Sequence, residues 1–173
     1  MKQIIAIGGG GFGREVGALK IEKYIVQQSN KVKPKICFIP TATGDDQGYI
    51  DNFYKAFNSL DCITSHIDFF KRTIDLRTHI FNQDIIFVGG GNTKSMLAVW
   101  REWKLDAILK EAYENNIIMS GVSAGAICWF EKGIRFAHVV AHRSCEAFLV
   151  ITHSVYGGAH TVTTDLCVGG TFS

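Results

Sequence analysis

The amino-acid sequence predicts an α/β fold, a three-layer sandwich in which helices cover both faces of a mostly parallel sheet. Short β-rich runs alternate with longer helical stretches, and the β-rich runs are apolar without alternation. Unalternating apolar strands indicate a sheet that is buried on both faces, as parallel sheets are. The 173 residues fit one domain, residues 1–173, which can bury about 70% of its unfolded surface without a metal or disulfide.

Five strand–helix units follow one another along the chain. Strand one ends at a run of glycines and strand two at Pro40, and both residue types interrupt a β-ladder. Apolar residues between Ile50 and Leu60 recur at the spacing of one buried helical stripe, and Thr93 is the expected N-cap of a later helix. The predicted strands are 2–7, 35–39, one within 62–70, 84–88 and 116–119, and the predicted helices are 12–28, one over 50–60, 93–103, 105–114 and a short one ending near 131.

Residues 134–173 break this rhythm. Only four of them are charged, no lysine follows Lys132, and four of the six histidines lie here, namely His138, His142, His153 and His160. Strands are expected at 148–152 and 161–168, but their order in the sheet is not readable. We interpret the segment as an atypical part of the same domain, which a truncated or altered C-terminus would explain.

Charge and cysteine usage exclude several classes of partner. The chain has 18 basic and 16 acidic residues, and this net charge of +2 gives no electrostatic case for a nucleic acid or a membrane surface. The five cysteines are odd in number and form no CxxC pair, which indicates a reducing compartment rather than a zinc site or disulfide framework. With no signal peptide and no membrane-spanning apolar run, the sequence predicts a cytoplasmic protein that uses no metal or cofactor.

The segment Gly121-Val-Ser-Ala-Gly125 carries the strongest chemical signal, because this GxSxG lies between a predicted strand and a predicted helix. Such a turn holds its serine in a strained conformation, and small neighbours are needed to avoid clashes. We expect the Ser123 hydroxyl to stand clear of the carboxyl edge of the sheet. The N–H of Ala124 would then face a developing oxyanion.

A second glycine-rich loop, Val88-Gly-Gly-Gly-Asn-Thr93, also follows a strand. Its exposed backbone N–H groups suit a second oxyanion donor, since both loops lie at carboxyl ends of strands, where parallel sheets bind ligands. A third glycine-rich loop, Gly8–Gly13, satisfies GxGxxG and gives an alternative hypothesis, a nucleotide- or dinucleotide-binding module. The acidic residue which that alternative needs at the end of strand two is missing, because the chain reads Phe38-Ile-Pro-Thr41 there.

Together, FVGGGNT at 87–93 and GVSAGA at 121–126 resemble the dipeptidase E (peptidase E) family of serine peptidases, relatives of the cyanophycinases. The resemblance covers about residues 1–133 and implies a fold similar to the class I glutamine amidotransferases, a flavodoxin-like arrangement. It implies that Ser123 is the nucleophile, that Ala124 with Gly90 or Gly91 forms the oxyanion hole, and that short peptides are hydrolysed through an acyl-enzyme. Dipeptides with an N-terminal aspartate are the expected substrates.

The resemblance weakens after the serine. The family's catalytic histidine lies in a Pro-His segment, but both prolines of this chain, Pro34 and Pro40, precede the serine. His160, 37 residues after Ser123 in the sequence, is the candidate general base. A catalytically impaired family member is a further alternative, because a serine without a base is a weak nucleophile.

Two further expectations concern substrate and self-association. Asn92 and Thr93 end the second glycine loop and are expected to contact the substrate. Trp100 and Trp103 are three residues apart on one predicted helix, which favours a packing or association surface and leaves a homodimer open.

Overall fold

The computed structural model describes residues 2–12, 19–71, 74–130, 147–156 and 159–168, the last two ranges by their backbone. Within these ranges, seven strands form one sheet in the order β3-β2-β4-β5-β1-β6-β7. The first five are parallel to one another, whereas β6 runs antiparallel to β1 and β7 antiparallel to β6. The strands are β1 (Lys2–Ile7), β2 (Lys35–Ile39), β3 (Ile63–His66), β4 (Ile85–Val88), β5 (Ile118–Val122), β6 (Ala147–Tyr156) and β7 (Ala159–Val168).

Helices cover both faces of the parallel part, which confirms the predicted α/β sandwich. They are α1 (Lys20–Gln27), α2 (Gln47–Asn58), α3 (Leu76–Phe81), α4 (Thr93–Glu102), α5 (Leu105–Glu114) and α6 (Ala124–Ile127), with a 3-10 turn at Thr41–Thr43. None of the helices in the described ranges has the length and apolar character needed to cross a bilayer.

Two hydrophobic cores lie on opposite faces of the sheet. Because successive residues of a strand point to opposite faces, Phe38 enters the core beneath α1 and α2, while Cys37 and Ile39 enter the core beneath α4 and α5. Both sets are fully buried. This two-sided burial is the reason why the strands are apolar without alternation.

Several element boundaries differ from the predictions. Strand β5 begins at Ile118 and runs through Val122, not over 116–119, because Asn116 is left-handed (φ 64°) and Ile117 N–H donates to Ala112 O to close α5. The N-cap of α4 is Asn92 rather than Thr93, since the Asn92 side chain accepts the N–H of Ser95.

The predictions for two helices and for the tryptophan pair also need correction. Helix α1 begins at Lys20, and residues 13–18 of the helix predicted over 12–28 lie outside the described residues. Within the described chain, α6 ends at Ile127, well before 131. Trp100 is a core residue, whereas Trp103 is 43% exposed and packs edge-on against Phe69.

Candidate active site

The turn after β5 presents Ser123 to solvent. Its backbone has φ 55° and ψ −111°, a region that a non-glycine residue adopts only when its surroundings enforce it. The Ser123 N–H donates to Ile7 O at 2.9 Å, which ties the turn to the neighbouring strand β1, and α6 begins at the next residue. The predicted strand–turn–helix with an exposed serine is therefore confirmed.

Close packing around this turn explains the two glycines of GxSxG. A Cβ atom added at Gly121 would lie 2.3 Å from Gly125 O, and one added at Gly125 would lie 2.1 Å from Val88 O. Both distances are far below van der Waals contact, and both acceptors are backbone atoms that cannot swing away. Any other residue at 121 or 125 would push α6 off strands β4 and β5.

The glycine loop after β4 lies directly beside the serine turn. A Cβ atom at Gly90 would lie 3.2 Å from Ser123 Cβ and 3.3 Å from Val122 O. On its other side the loop packs against the 3-10 turn, because a Cβ atom at Gly91 (φ 140°) would lie 2.3 Å from Ala42 O. The carboxyl ends of β2, β4 and β5 thus meet at one place, as predicted for the two glycine loops.

The backbone N–H groups of this loop have different partners. Gly89 N–H donates to Ile39 O at 3.0 Å, and Asn92 N–H donates to Ala42 O at 2.8 Å. Gly90 N–H donates to the Tyr49 hydroxyl oxygen over a long 3.4 Å. Among the residues that the structure describes, the N–H groups of Gly91 and Ala124 have no hydrogen-bond acceptor. Within the described residues, one N–H group without an acceptor therefore lies in the serine turn and another in the loop that packs against this turn.

Asn92 and Thr93 lie at the start of α4, next to this loop. The Asn92 side chain is exposed, and its Oδ1 accepts the Ser95 N–H at 3.0 Å, which caps the helix. Within the described chain its Nδ2 makes no hydrogen bond. Thr93, the first residue of α4, is half-buried.

The described backbone does not bring His160 to Ser123. Ile7 is level with Val122, and β1 leads back five residues to Lys2, which pairs with His153. His160 pairs with Val155, two residues further along β6. Seven residues of extended strand therefore separate the level of Val122 from the level of His160. At ~3.3 Å per residue this separation is roughly 23 Å along the strands, so His160 lies at the opposite edge of the sheet. The described backbone therefore gives no support to the pairing of His160 with Ser123, which stays a prediction from sequence spacing.

Neither of the histidines whose side chains the structure describes is a base for Ser123. His66 is bound to the Tyr54 hydroxyl at 2.6 Å, and His79 to Ser65 Oγ at 3.1 Å. Both histidines belong to the region of β3, which is three strands away from β5. His138 and His142 lie outside the described residues.

The nearest thiol is not an alternative nucleophile. Cys128 is the residue directly after α6, and its Sγ donates to Gly125 O at 3.2 Å. Burial raises the pKa of the Cys128 thiol. A thiol with a raised pKa is largely protonated near neutral pH and is inert. Among the described residues no group of three acidic, cysteine or histidine side chains is arranged to hold a metal ion.

The loop after β1 does not have the features of a dinucleotide site. The N–H of Phe12 donates to Glu22 Oε1 at 2.7 Å, and Glu22 is only 2% exposed. A Cβ atom at Gly11 would lie 3.1 Å from the same carboxylate oxygen. A carboxylate in this place would repel a phosphate. Gly13, the last glycine of the motif, lies outside the described residues.

Comparisons with known proteins agree with the geometry. A sequence profile of Peptidase family S51 matches residues 4–156. Uncharacterized peptidase YgaJ of Bacillus subtilis (strain 168) is 53% identical over 135 residues, which are 78% of this chain and 59% of that protein. Uncharacterized peptidase Lmo0363 of Listeria monocytogenes serovar 1/2a (strain ATCC BAA-679 / EGD-e) is 28% identical over 103 residues, 58% of this chain and 50% of that protein.

Solved structures with the same fold are also peptidases by name. A candidate peptidase E protein from Listeria monocytogenes EGD-e superposes with a TM-score of 0.55 at 24% identity, over 73% of this chain and 61% of that one. A peptidase from an acI-B1 actinobacterium gives a TM-score of 0.55 at 19% identity, over 73% and 56%. At these identities the likeness shows the fold.

The chain spans 59% and 50% of the two curated relatives, so only part of each is represented here. The profile match nevertheless covers most of the chain, including both glycine loops and the serine turn. The chain belongs to Peptidase family S51.

Proposed function

We propose that this chain is a serine-type peptidase that cleaves short peptides, with Ser123 as the nucleophile. The observation that carries the proposal is the exposed Ser123 hydroxyl on a strained turn (φ 55°). The N–H groups of Ala124, in the same turn, and of Gly91, in the loop that packs against this turn, have no acceptor among the described residues. A nucleophile and preorganised oxyanion donors are the two parts that acyl transfer needs.

In the reaction, Ser123 Oγ attacks the carbonyl carbon of the scissile peptide bond. The negative charge that develops on the carbonyl oxygen is stabilised by the N–H groups of Ala124 and Gly91. Departure of the amine leaves an acyl-enzyme, which water then hydrolyses. The Ser123–Ile7 hydrogen bond fixes the turn that contains the Ala124 donor, so this donor does not have to move during the reaction.

The proton of the Ser123 hydroxyl has to pass to a base and then to the leaving amine. We do not assign this base, since His66 and His79 lie three strands from β5 and the backbone of His160 lies at the opposite edge. Loss of one member of a catalytic triad leaves only the rate that the oxyanion donors and binding supply. We therefore expect slow turnover wherever no base reaches Ser123.

Family membership supports short peptides as substrates, and the resemblance to dipeptidase E favours dipeptides with an N-terminal aspartate. We propose that the free Asn92 Nδ2 and the Thr93 hydroxyl contact the substrate. Both residues belong to the loop that supplies the Gly91 donor. A substrate held there lies across the carboxyl ends of β4 and β5.

A fluorophosphonate probe tests the nucleophile directly. The Ser123 oxygen displaces fluoride from phosphorus only if the serine is activated, and peptide mapping by mass spectrometry locates the adduct. We expect the adduct on Ser123, none on the Ser123→Ala variant and normal labelling of Ser95→Ala, which removes an exposed hydroxyl from the first turn of α4. Labelling at another serine only would contradict the proposal.

Paired dipeptides test the specificity. We expect faster hydrolysis of a dipeptide with an N-terminal aspartate than of its asparagine counterpart, which has the same shape without the charge. If Ser123→Ala hydrolyses both as fast as the parent chain, Ser123 has no part in the reaction. If the parent does not distinguish the two dipeptides, the aspartate preference is wrong while the nucleophile assignment stands.

A further inference from the structure

Tyr49 connects the first turn of α2 to the glycine loop beside Ser123. Its own position is well fixed. The Tyr49 N–H donates to the Asp46 carboxylate at 2.8 Å, which caps the helix. Its ring packs against Phe12 and Phe38, with centroid distances of 5.4 Å and 4.9 Å. A side chain anchored at both ends can position whatever its hydroxyl touches.

Two successive residues of the loop contact this side chain. A Cβ atom at Gly89 would lie 2.9 Å from Tyr49 Cε1, so the ring occupies the space beside that glycine. The next residue, Gly90, donates its N–H to the Tyr49 oxygen. Gly90 is also the residue whose added Cβ would lie 3.2 Å from Ser123 Cβ. Tyr49 thus holds the part of the loop that faces the serine.

Three consecutive glycines can adopt many backbone conformations, so the direction of each N–H has to be imposed from outside the loop. On one side, Ala42 O fixes Asn92. On the other, the Tyr49 hydroxyl takes the Gly90 N–H. Between these two fixed points lies Gly91, whose N–H has no acceptor in the described chain. The two anchors together determine where that free donor points.

We propose that Tyr49 is a positioning residue of the peptidase reaction, whose hydroxyl fixes the Gly90 peptide and so presents the Gly91 N–H to the oxyanion formed at Ser123. The inference rests on the proposed function. Tyr49 acts through the loop and does not touch the reacting atoms. Burial raises the pKa of the Tyr49 hydroxyl, which keeps it protonated and neutral near the oxyanion.

The test compares Tyr49→Phe with Tyr54→Phe. Both variants keep the ring and lose a hydroxyl from α2, but the Tyr54 hydroxyl is bound to His66 and not to the loop. The first measurement is hydrogen exchange of the Gly90 amide by NMR. The second is the saturation kinetics of Ser123 phosphonylation, which separates the maximal rate from the half-saturating probe concentration.

For Tyr49→Phe we expect Gly90 exchange to be about five- to ten-fold faster, as for loss of one hydrogen bond. The maximal labelling rate should fall by a similar factor, with an unchanged half-saturating concentration. Tyr54→Phe should change neither. A merely structural role of Tyr49 would lower the melting temperature without lowering the maximal rate per folded molecule.

The outcomes separate the two proposals. Unchanged Gly90 exchange in Tyr49→Phe overturns the inference, and so does faster exchange with an unchanged maximal rate. Both of these results leave Ser123 as the nucleophile. A parent chain that the probe does not label at Ser123 contradicts the proposed function itself, and the inference falls with it.

Discussion

Two glycine-rich loops lie at the same edge of the sheet, one after β1 and the other after β4, but their backbone N–H groups have different surroundings. In the first, the Phe12 N–H is taken by the buried carboxylate of Glu22, and the Phe12 ring lies in the core. In the second, the Gly91 N–H has no acceptor among the described residues, and the preceding Gly90 lies beside the exposed Ser123. The composition of the two loops is alike. What distinguishes a ligand site from a packed turn is where the N–H groups point and what they bind.

The charge beside each loop strengthens this contrast. Glu22 closes the first loop with an anionic group that is 2% exposed, and a phosphate or carboxylate ligand there would meet a like charge. The neighbour of the second loop is the neutral Ser123 hydroxyl. The loop that satisfies the GxGxxG motif is therefore the one whose N–H group is already bound by a buried side chain, Glu22.

The largest loss of stability is expected at the contact between β4, the strand before the second loop, and the serine turn. In Gly125→Ala, the added methyl group would lie 2.1 Å from Val88 O. The backbone has to shift, and we expect a loss of several kcal/mol of stability, on the order of 3–5 kcal/mol, as for other severe overpacking. Urea unfolding measures this loss, and Ser123 labelling should disappear with it.

Gly9→Ala is the matched control in the first loop. Among the described residues, a Cβ atom at Gly9 would have no neighbour within 4 Å, so the variant should unfold like the parent chain and label normally at Ser123. If Gly125→Ala were as stable and as reactive as Gly9→Ala, the tight turn at Ser123 would not exist. The contrast between the two loops would then lose its structural basis.

A smaller effect is expected where the first loop is closed by Glu22. Glu22→Ala leaves the Phe12 N–H without its buried acceptor, which costs about 1–3 kcal/mol. Glu22→Gln keeps an acceptor oxygen and should lose less. Urea unfolding gives both values. Because the contact lies in the first loop, the rate of Ser123 labelling per folded molecule should be the same in both variants as in the parent.

If instead Glu22→Ala kept full stability, or if it slowed labelling of correctly folded protein, the first loop would not be a packed turn.

The same variant also tests the nucleotide-binding alternative. Removing the anion should still give no nucleotide binding, since Phe12 fills the space beneath the loop. Binding of a nucleotide by Glu22→Ala would show that the carboxylate alone excludes it.

Local chemistry allowed part of this molecule to be predicted from its sequence. Strands β1 and β2 were predicted with the bounds that the structure has, because Gly8 and Pro40 end them. The exposed serine turn was predicted because each requirement for it lies within five residues. The six-residue helix α3 was not predicted, because it is too short and polar to produce a periodic signal.

Contacts between residues that are far apart in the sequence could not be predicted in this way. Tyr49 contacts Gly90, which is 41 residues later in the sequence, and neither segment contains a pattern that indicates this contact. The position of the His160 backbone could not be predicted for the same reason, since sequence spacing contains no information on strand direction. The reversal of β6 and β7 carries that residue's backbone to the far edge of the sheet.

An effect of about 1 kcal/mol is expected from Asn92→Ala, at the end of the second loop. The variant removes the N-cap of α4, whose side chain accepts the Ser95 N–H. Asp75→Ala removes the equivalent cap of α3, which accepts the Thr78 N–H, and should cost a similar amount in urea unfolding. If Asn92 also contacts the substrate, only Asn92→Ala raises KM. Equal KM values in the two variants would leave Asn92 as a helix cap alone.

The smallest effect concerns His79, which is remote from both loops. Burial and, to a lesser extent, the neighbouring His66 lower the pKa of His79. The folded protein therefore binds this proton less readily than the unfolded chain. The stabilisation is present above the unfolded pKa of about 6.5 and is lost as the pH falls through the lower folded value.

His79→Gln should consequently flatten the decline in melting temperature between about pH 7 and pH 5, since glutamine does not titrate and can still bond to Ser65 Oγ. His66, which contributes to the lowered pKa of His79, stays unchanged in the variant. Ser123 labelling at pH 7 should be the same as in the parent, because two strands, β2 and β4, lie between β3 and β5. A variant whose melting temperature falls as steeply as the parent's would place the acid sensitivity elsewhere. If labelling changed as well, the serine turn would depend on the β3 edge, and its fixed geometry could no longer be attributed to local packing.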